Sequence, residues 1–364
     1  MRIDIYNIEQ KLKSAEQNLK KSKIPESDKK LIIQFEDHLM LEKGLSVHRV
    51  VKYLYTLKKI REHLNTPFQE ASKDDITTFL KWLRTSEYSD WTKRDYKLVL
   101  KKFYAWLGQS TLTDWIRTER PHSEMLPEEL LTEEDIINMI TAAPTEMNRA
   151  LVSVLYETGA RIGEIGSLQI KHVAFDQLGA ILYVDGKTGP RAPRIVWSGS
   201  YLEEWLDQHP DRTGSAPVWL NQYGEALGYG GLRKNFLTCA KAAGVEKRAY
   251  HHLMRHSRAS EMSGAMTESR MSVYFGWVQG SGMPASYIHL SGQAANNSVL
   301  SMYGLQPPAI QQSLLWPRTC QDCGKIHGPT YRTCLECGSE VRDLPRPAVQ
   351  REISAFQVLS HQLG

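Results

Sequence analysis

The segment HHLMRHSRAS, residues 251–260, concentrates histidine and arginine in a chain whose net charge is only +4. On a helix, His252, Arg255 and His256 stand three and four residues apart and share one face. Like charges on one face repel each other, so an anion best stabilises such a face. Guanidinium offers a fixed fork of donors that matches two phosphate oxygens, and imidazole can add a donor or carry a proton. The face therefore predicts a phosphate-binding site.

Three other sites hold side chains of matching chemistry. In TGARIGE, Arg161 and Glu164 lie one helical turn apart, so we interpret Glu164 as a support that neutralises and directs the arginine. An ordinary surface pair explains the same spacing equally well. Lys187 lies in the turn of a predicted strand–turn–strand segment, AILYVDGKTGPRAPRIVW, and Tyr287 lies in MPASYIHLSG. The set thus contains fixed cations, a proton donor and an aromatic hydroxyl.

These segments resemble the motifs of the tyrosine recombinase (phage integrase-type) family, in the family's order. They read GARIGE, DGKTG, HLMRH, FGW and SYIHL, and the resemblance extends over about residues 25–305. It implies a site-specific DNA recombinase or integrase that cleaves and rejoins duplex DNA through a 3′-phosphotyrosyl intermediate, without ATP or a catalytic cofactor. The residues it places in the catalytic site are Arg161, Lys187, His252, Arg255, Trp277 and Tyr287. Glu164 and His256 are supporting residues.

The chemistry of these residues is consistent with that implication. A phosphodiester gains negative charge in its five-coordinate transition state, and fixed cations stabilise this state more than the ground state. Arg161 and Arg255 would form the two halves of a clamp on the phosphate, and His252 would add a donor or move a proton. Lys187 would protonate the leaving 5′-oxygen, because neighbouring cations lower the pKa of a lysine. Tyr287 would attack the phosphorus, since surrounding cations favour the phenolate.

Several alternatives remain open from the sequence. Tyr274 is the nearest competing nucleophile, but it lacks the following x-His. His252 and His256 could hold a metal, yet their segment lacks the glutamate of H-E-x-x-H and carries Arg255 on the same face. The same chemistry could serve a type IB-like topoisomerase, and the same fold could serve a non-catalytic DNA-binding regulator. The full set of catalytic residue types argues against the regulator, since binding requires no nucleophile.

The elements that would hold these residues are mainly helical. Residues 1–110 predict an all-α core-binding domain, 111–130 a linker, and 131–310 a mostly helical catalytic domain with a small β-hairpin. Residues 1–110 carry 22 Lys and Arg against 15 Asp and Glu, whereas the remainder carries 23 against 26. The residues predicted to line one side of a basic helix in this region are Lys93, Lys97 and Lys101. This surface predicts contacts with DNA phosphates.

Two cysteine pairs near the C-terminus form a separate pattern. Cys320, Cys323, Cys334 and Cys337 make C-x2-C, ten intervening residues and C-x2-C, and a glycine follows each pair. Four thiolates at this spacing predict a structural Zn²⁺ in a zinc-ribbon-like module over 318–340. Its role could be DNA contact, protomer contact or a fold staple. A final amphipathic helix is predicted over 345–364.

The composition is that of a globular protein without a membrane span. Hydrophobic residues make up 41% and charged residues 24% of the chain, and no apolar run approaches the roughly 18 residues that a span requires. The N-terminus lacks the apolar core of a secretory signal. We therefore expect a cytoplasmic, nucleoid-associated protein. The resemblance further implies a homotetramer on specific sites in double-stranded DNA, with DNA-bending accessory factors as possible partners, encoded by a virus or other mobile element.

Overall fold

The chain folds into two compact units, seen in a computed structural model that describes residues 3–121, 126–186, 188–288, 299–300, 302–305 and 313–345. The N-terminal unit is Tyr6–Met125, and the C-terminal unit combines Met1–Ile5 with Leu126–Gly364. Helices dominate both units, so the mainly α fold class predicted from the sequence is confirmed. Within the described residues, no helix has the length and apolar character that a bilayer crossing requires.

The N-terminal unit is a helical bundle, in which a π-helical turn at His38–Glu42 extends the second helix. Its helices are α1 (Ile8–Lys20), α2 (Glu26–Asp37), α3 (Val47–Arg61), α4 (Lys73–Thr85) and α5 (Asp90–Trp106). The start of α4 shows how local sequence sets a boundary. The Ser72 hydroxyl accepts from the Asp75 backbone N–H, and the Asp75 carboxylate accepts from the Ser72 backbone N–H. This reciprocal capping satisfies two donors that the first helical turn leaves free.

Aromatic side chains fill the core of the N-terminal unit. Phe35 and Phe103 meet edge to face with ring centroids 5.2 Å apart, and Phe68 packs on Phe103 at 4.6 Å. One buried carboxylate, Asp28, pairs with Arg61 and accepts from the Phe68 backbone N–H. Because its oxygens are satisfied, this polar group is tolerated inside the core. The bundle therefore offers a fixed base for the surface formed by α4 and α5.

The C-terminal unit is organised around one buried helix. Its helices are α6 (Glu133–Thr141), α7 (Glu146–Thr158), α8 (Ile162–Gly166), α9 (Ser198–Asp207), α10 (Tyr229–Ala242), α11 (His251–Ser263), α12 (Glu268–Phe275) and α13 (Met283–Ile288). Every residue of α7 from 150 to 158 is buried, and α7 packs against α6, α9, α10 and α11. A helix buried on all sides fixes whatever follows its C-terminus. At the start of α6, Thr132 and Asp135 form a capping box, which a threonine followed three residues later by an acidic residue predicts.

The predicted hairpin forms two successive antiparallel ladders. Strands β1 (Val173–Asp176), β2 (Gly179–Leu182) and β5 (Arg194–Ile195) make one sheet, with β2 in the middle. Strands β3 (Val184–Gly186) and β4 (Gly189–Arg191) make the second, with Gly186 opposite Gly189. Pro193 interrupts the ladder because it has no N–H to donate, although its carbonyl accepts from Leu182 at 3.0 Å. Beyond this interruption, β3 and β4 form the tip of the hairpin as a separate two-stranded ribbon.

The cysteine pairs lie in a small three-stranded sheet. Its strands are β6 (Arg318–Cys320), β7 (Ile326–His327) and β8 (Val341–Asp343), in the order β7-β6-β8. We call residues 313–345 the cysteine module. The amphipathic helix predicted over 345–364 lies, apart from its first residue, outside the described residues.

Candidate active site

A tight break between two helices positions Arg161. Gly159 ends α7 with a φ of 52°, and a Cβ there would lie 2.5 Å from a ring carbon of Phe275, so the position favours glycine. Arg161 then takes the N-cap position of α8. Its backbone N–H donates to Glu164 Oε2 at 2.8 Å, and its Nη1 donates to Glu164 Oε1 at 3.0 Å. The carboxylate thus holds both the backbone and the side chain of Arg161.

A second arginine, which the sequence reading missed, holds Glu164 from the other side. Arg191 on β4 donates from Nη2 to Glu164 Oε2 at 2.7 Å and from Nη1 to the Tyr274 carbonyl at 2.5 Å. Burial alone would raise the pKa of Glu164, but Arg191, helped by the N–H and guanidinium of Arg161, lowers it below its usual range. A Cβ on Gly186 would lie 2.2 Å from Glu164 Oε1. Glycine therefore lets the hairpin approach this buried anion closely.

Arg255 lies on α11 and is almost fully buried. Its Nη1 donates to the Gly159 carbonyl at 3.0 Å, and its Nη2 donates to the Phe275 carbonyl at 2.6 Å. The guanidinium also lies 5.4 Å from the Trp277 ring centroid, within the range of a cation–π contact. Burial, followed by repulsion from Arg161, lowers the pKa of Arg255 to about 10. The group therefore stays cationic at neutral pH and is held in one orientation.

The two clamp arginines predicted from the sequence meet at one backbone segment. Arg255 donates to the Phe275 carbonyl, and Arg161 Nη2 reaches the next carbonyl, that of Gly276, at 3.4 Å. The hydroxyl of Thr188, in the turn of the β3–β4 hairpin, donates to the same Gly276 carbonyl at 2.8 Å. The geometry concentrates fixed cations at the end of α12. Lys187 itself lies outside the described residues.

Tyr287 lies on α13 near Arg255 and is only 3% exposed. Its ring stacks on Trp277, with centroids 5.3 Å apart and planes 8° from parallel. Its hydroxyl lies 2.8 Å from His256 Nδ1. Burial raises the pKa of Tyr287 above its ordinary value of 10, and the nearby Arg255 opposes that rise. The proposed nucleophile is therefore held in place by one ring and one hydrogen bond.

His252 and Tyr274, the other candidates for proton transfer and nucleophilic attack, are held differently from His256 and Tyr287. His252 meets the ring of His256 edge to face at 4.7 Å. Desolvation, followed by repulsion from His256 and Arg255, lowers the pKa of His252 to about 4, so the ring is neutral at pH 7. Tyr274, the competing nucleophile, donates its hydroxyl to the Glu157 carbonyl at 3.0 Å, and burial raises its pKa to about 12. The Tyr274 hydroxyl is therefore already hydrogen-bonded to the backbone and is a poorer candidate for the nucleophile.

The basic helix α5 lines a cationic groove in the N-terminal unit. The basic side chains around this groove are Lys81, Arg84, Lys93, Arg94, Lys97, Arg117 and Arg120. Two of the three lysines predicted to contact DNA, Lys93 and Lys97, are among them. Lys101 instead donates to the carbonyls of Asp114 and Ile116, at 3.0 and 3.2 Å. It fastens the segment after α5 to the helix.

The four predicted zinc ligands lie together in the cysteine module. Their Sγ atoms are all within 4.8 Å of one another, with 3.4 Å between Cys320 and Cys337 and 3.6 Å between Cys323 and Cys334. Four thiolates at about 2.3 Å from a tetrahedral zinc are separated by about 3.8 Å, so the set fits that ion. His327, buried behind the cluster, lies with Nε2 3.3 Å from Cys334 Sγ and is suited to support a thiolate.

The cysteine module is fixed to α9 of the same unit. The Tyr331 ring stacks on Tyr201 at 4.9 Å, and its hydroxyl donates to Glu204 Oε2 at 2.6 Å. The Gly328 backbone N–H donates to the Ser200 hydroxyl at 2.9 Å. A Cβ on Gly328 would lie 2.2 Å from the Tyr201 ring, so the two surfaces touch closely. No motif in the sequence predicted that the cysteine module packs on α9.

Comparison with known proteins assigns both units to one family. Residues 129–293 match the phage integrase family, and residues 32–111 match the phage integrase N-terminal SAM-like domain. Tyrosine recombinase XerD of Pseudomonas putida is 28% identical over 261 residues, which cover 66% of this chain and 85% of that protein.

Solved structures show the same fold at low sequence identity. The XerH site-specific recombinase bound to palindromic difH substrate, a post-cleavage complex, gives a TM-score of 0.58 at 19% identity, covering 82% of this chain and 96% of that chain. A lambda integrase tetramer bound to a Holliday junction gives 0.56 at 16% identity, covering 70% and 76%. The chain belongs to the phage integrase family and is a tyrosine site-specific recombinase.

Proposed function

We propose that Tyr287 is the nucleophile with which this recombinase cleaves and rejoins duplex DNA. The observation that carries the proposal is the meeting of Arg161, Arg255 and Tyr287 around the segment Phe275–Trp277. Two fixed guanidiniums stabilise the charge that develops on a five-coordinate phosphorus, and the adjacent phenol oxygen attacks it. Bond energy is kept in the resulting 3′-phosphotyrosyl ester, so religation requires neither ATP nor a cofactor.

The remaining catalytic residues have distinct roles in this proposal. Lys187 protonates the leaving 5′-oxygen, which agrees with the position of its neighbour Thr188 at the Gly276 carbonyl. His252 is neutral at pH 7, so it contributes a hydrogen bond to the phosphate and no positive charge. Trp277 packs against Tyr287 and holds the plane of its ring.

Trapping the covalent intermediate tests the proposal. The protein is incubated with suicide DNA substrates carrying candidate sites, and SDS-resistant adducts are counted. Tyr287→Phe should abolish the adduct while DNA binding persists. Tyr274→Phe is the matched control, because it removes a partly buried, hydrogen-bonded hydroxyl from the same unit and should leave adduct formation intact. Adduct formation by Tyr287→Phe at the wild-type rate would move the nucleophile elsewhere.

The N-terminal unit is proposed to grip the DNA duplex through its cationic groove. Lys93 and Lys97 line that groove, and phosphate contacts from it make affinity fall as salt rises. We assign residues 1–110 to DNA binding and 131–310 to catalysis. By likeness to the lambda integrase tetramer, four protomers act together on two DNA sites. The protein is proposed to be encoded by a virus or other mobile element and to act in the cytoplasm, at the nucleoid. DNA-bending factors would assist assembly on long sites.

The two rival functions have less support. A type IB-like topoisomerase would relax supercoiled plasmids lacking any recombination site, whereas a recombinase requires paired sites. A non-catalytic regulator has no use for a phenol placed beside the buried Arg255 in a site that also holds Arg161. Plasmid relaxation and two-site recombination assays, run side by side, separate the first rival. The trapped adduct separates the second.

The cysteine module is proposed to hold one Zn²⁺ and to act as a staple on α9. The Sγ separations fit a tetrahedral ion, and the contacts of Tyr331 and Gly328 with α9 tie the module to the unit that carries the catalytic residues. Metal-site formation contributes directly to folding free energy, so zinc would stabilise the α9 surface.

Metal content and thermal unfolding test this second proposal. We expect one zinc per chain, lost in Cys320→Ser and retained in Cys239→Ser, which changes a buried cysteine outside the cluster. Chelation should lower the unfolding temperature of the wild type and leave that of Cys320→Ser unchanged. Wild-type protein that binds no metal, with all four cluster thiols freely titratable, would contradict the proposal.

A further inference from the structure

The hydroxyl of Tyr287 is hydrogen-bonded to His256. The match to the family does not assign this histidine a role in the reaction. His256 projects from α11 so that its Nδ1 lies 2.8 Å from the Tyr287 oxygen. The two ring centroids are 5.8 Å apart. His252, the histidine that begins the same motif, instead meets the edge of the His256 ring. Among the described residues, His256 is therefore the one hydrogen-bonded to the phenol oxygen.

We propose that His256 is the general base that takes the proton from Tyr287 during DNA cleavage. The inference rests on the proposed function, since it assumes that Tyr287 is the nucleophile. A general base must lie within about 2.6–3.2 Å of the proton-bearing atom, and the observed 2.8 Å satisfies that requirement. The sequence had suggested only a structural role for this residue.

The surroundings of His256 keep it in the form that a base requires. The charged or titratable groups that face it are Arg255 and His252 on its own helix and Tyr287 on α13. Burial, followed by repulsion from Arg255, lowers the pKa of His256 below its ordinary value of 6.5. The imidazole is thus neutral at physiological pH, and Nδ1 can accept a hydrogen bond from the phenol.

A base is necessary because the phenol does not ionise readily by itself. Burial raises the pKa of Tyr287 above 10, so less than about one molecule in a hundred would hold phenolate near pH 7.5. Arg255 favours the phenolate but is already bonded to two backbone carbonyls. Direct transfer of the phenol proton to the adjacent imidazole lets the Tyr287 oxygen attack without first ionising in solvent.

The proposed step balances without another reactant. As the Tyr287 oxygen bonds to phosphorus, its proton passes to His256 Nδ1. The bond from phosphorus to the 5′-oxygen breaks, and that oxygen leaves with the electron pair and takes a proton from Lys187. In religation the 5′-hydroxyl returns its proton to the Lys187 amine as its oxygen attacks the phosphotyrosine. The bond from phosphorus to the Tyr287 oxygen breaks, and the departing phenolate recovers its proton from the His256 imidazolium.

Replacement of His256 by asparagine separates proton transfer from hydrogen bonding. The asparagine oxygen can still accept from Tyr287, but the amide cannot take its proton. Single-turnover adduct formation on suicide DNA should slow by about 10²–10⁴-fold near pH 7, with DNA affinity unchanged. The difference in rate between wild type and His256→Asn should shrink as the pH is raised toward about 9, because hydroxide then removes the Tyr287 proton in a larger fraction of molecules. His251→Asn, a half-buried neighbour on the same helix, should keep the wild-type rate and pH profile.

A sulfur leaving group distinguishes this base from the general acid. DNA with a 5′-bridging phosphorothiolate at the scissile bond needs no proton on its leaving atom. It should restore cleavage by Lys187→Ala but not by His256→Asn. Rescue of His256→Asn by this substrate, or a wild-type rate and pH profile for that variant, would overturn the inference.

The outcomes also separate this inference from the function on which it rests. If wild-type protein forms no adduct, or Tyr287→Phe forms it normally, the proposed nucleophile fails. If His256→Asn does not fold, the wild-type chain can carry, at position 287 only, a fluorinated tyrosine that ionises below neutral pH. Cleavage should then lose the fall in rate that protonation of His256 causes in the wild type as the pH drops below the ordinary histidine pKa of 6.5. An unchanged pH profile would overturn the role of His256.

Discussion

Replacing Glu164 with glutamine should destabilise the C-terminal unit and slow DNA cleavage. The Glu164 side chain is only 2% exposed and pairs with Arg191 at 2.7 Å and with Arg161 at 3.0 Å. Glutamine has the same shape without the charge, so the buried guanidinium of Arg191 loses its counter-ion. Breaking a buried ion pair by removing one charge costs about 3–5 kcal/mol. The partly exposed Arg161 is screened by water and adds less.

That loss is large enough to measure by thermal unfolding. In a unit of this size about 1 kcal/mol moves Tm by about 2–4 °C, so the shift should be on the order of 10 °C. Circular dichroism of the full chain follows the transition. Because Glu164 also directs Arg161, adduct formation by the folded variant should fall about 100-fold at a temperature well below both transitions.

The pH dependence of the same difference gives an independent check. The folded-state pKa of Glu164 lies below the ordinary value of 4.5, so its stabilising contribution is complete above that value. The contribution is lost as the pH falls through the lower folded pKa. The Tm difference between wild type and Glu164→Gln should therefore hold from about pH 5 to about pH 8 and narrow in acid.

An exposed carboxylate of the same unit supplies the control. Asp176 pairs with Arg194 at 2.6 Å, but both side chains are exposed to solvent. Asp176→Asn should leave Tm close to that of the wild type, because solvent screens such pairs. Equal Tm values for wild type and Glu164→Gln at pH 7 would refute the reasoning, as would an equally large loss in Asp176→Asn.

Three further changes have defined outcomes. Arg255→Lys should slow adduct formation by about 10²–10³-fold, because an ammonium cannot reproduce the guanidinium fork; single-turnover cleavage measures it. Lys97→Ala should reduce the slope of log affinity against log salt by about 1, measured by DNA titration at several salt concentrations. Gly186→Ala should destabilise by about 1–3 kcal/mol in denaturant, since its Cβ would lie 2.2 Å from Glu164 Oε1. Gly230→Ala, which meets open space inside α10, should not lose stability.

Local patterns predicted much of the helical framework. The capping box at Thr132 and Asp135 involves residues three positions apart, so it could be read directly from the sequence. The strand–turn–strand segment was also visible, because short runs rich in apolar residues flank a glycine-containing turn. The split of that hairpin near Pro193 depends on which backbone groups face each other, and the pattern alone did not indicate it.

The site was only partly predictable, for a physical reason. Arg161, Arg255 and Tyr287 lie in motifs whose order is informative, so their convergence could be anticipated. Arg191 belongs to no motif, and its importance comes from facing the buried Glu164 across a fold of the chain. The bond between His256 and Tyr287 joins residues 31 positions apart on two helices. Contacts of this kind depend on tertiary packing, which spacing along the chain does not encode.

The chemical identity of the DNA-linked residue tests the central claim most directly. The wild-type adduct can be digested with nuclease and trypsin, and the peptide that retains a nucleotide can be sequenced by tandem mass spectrometry. The nucleotide should be joined through its 3′-phosphate to the Tyr287 oxygen, and to no other residue. A nucleotide on Tyr274 or any other side chain would contradict the account.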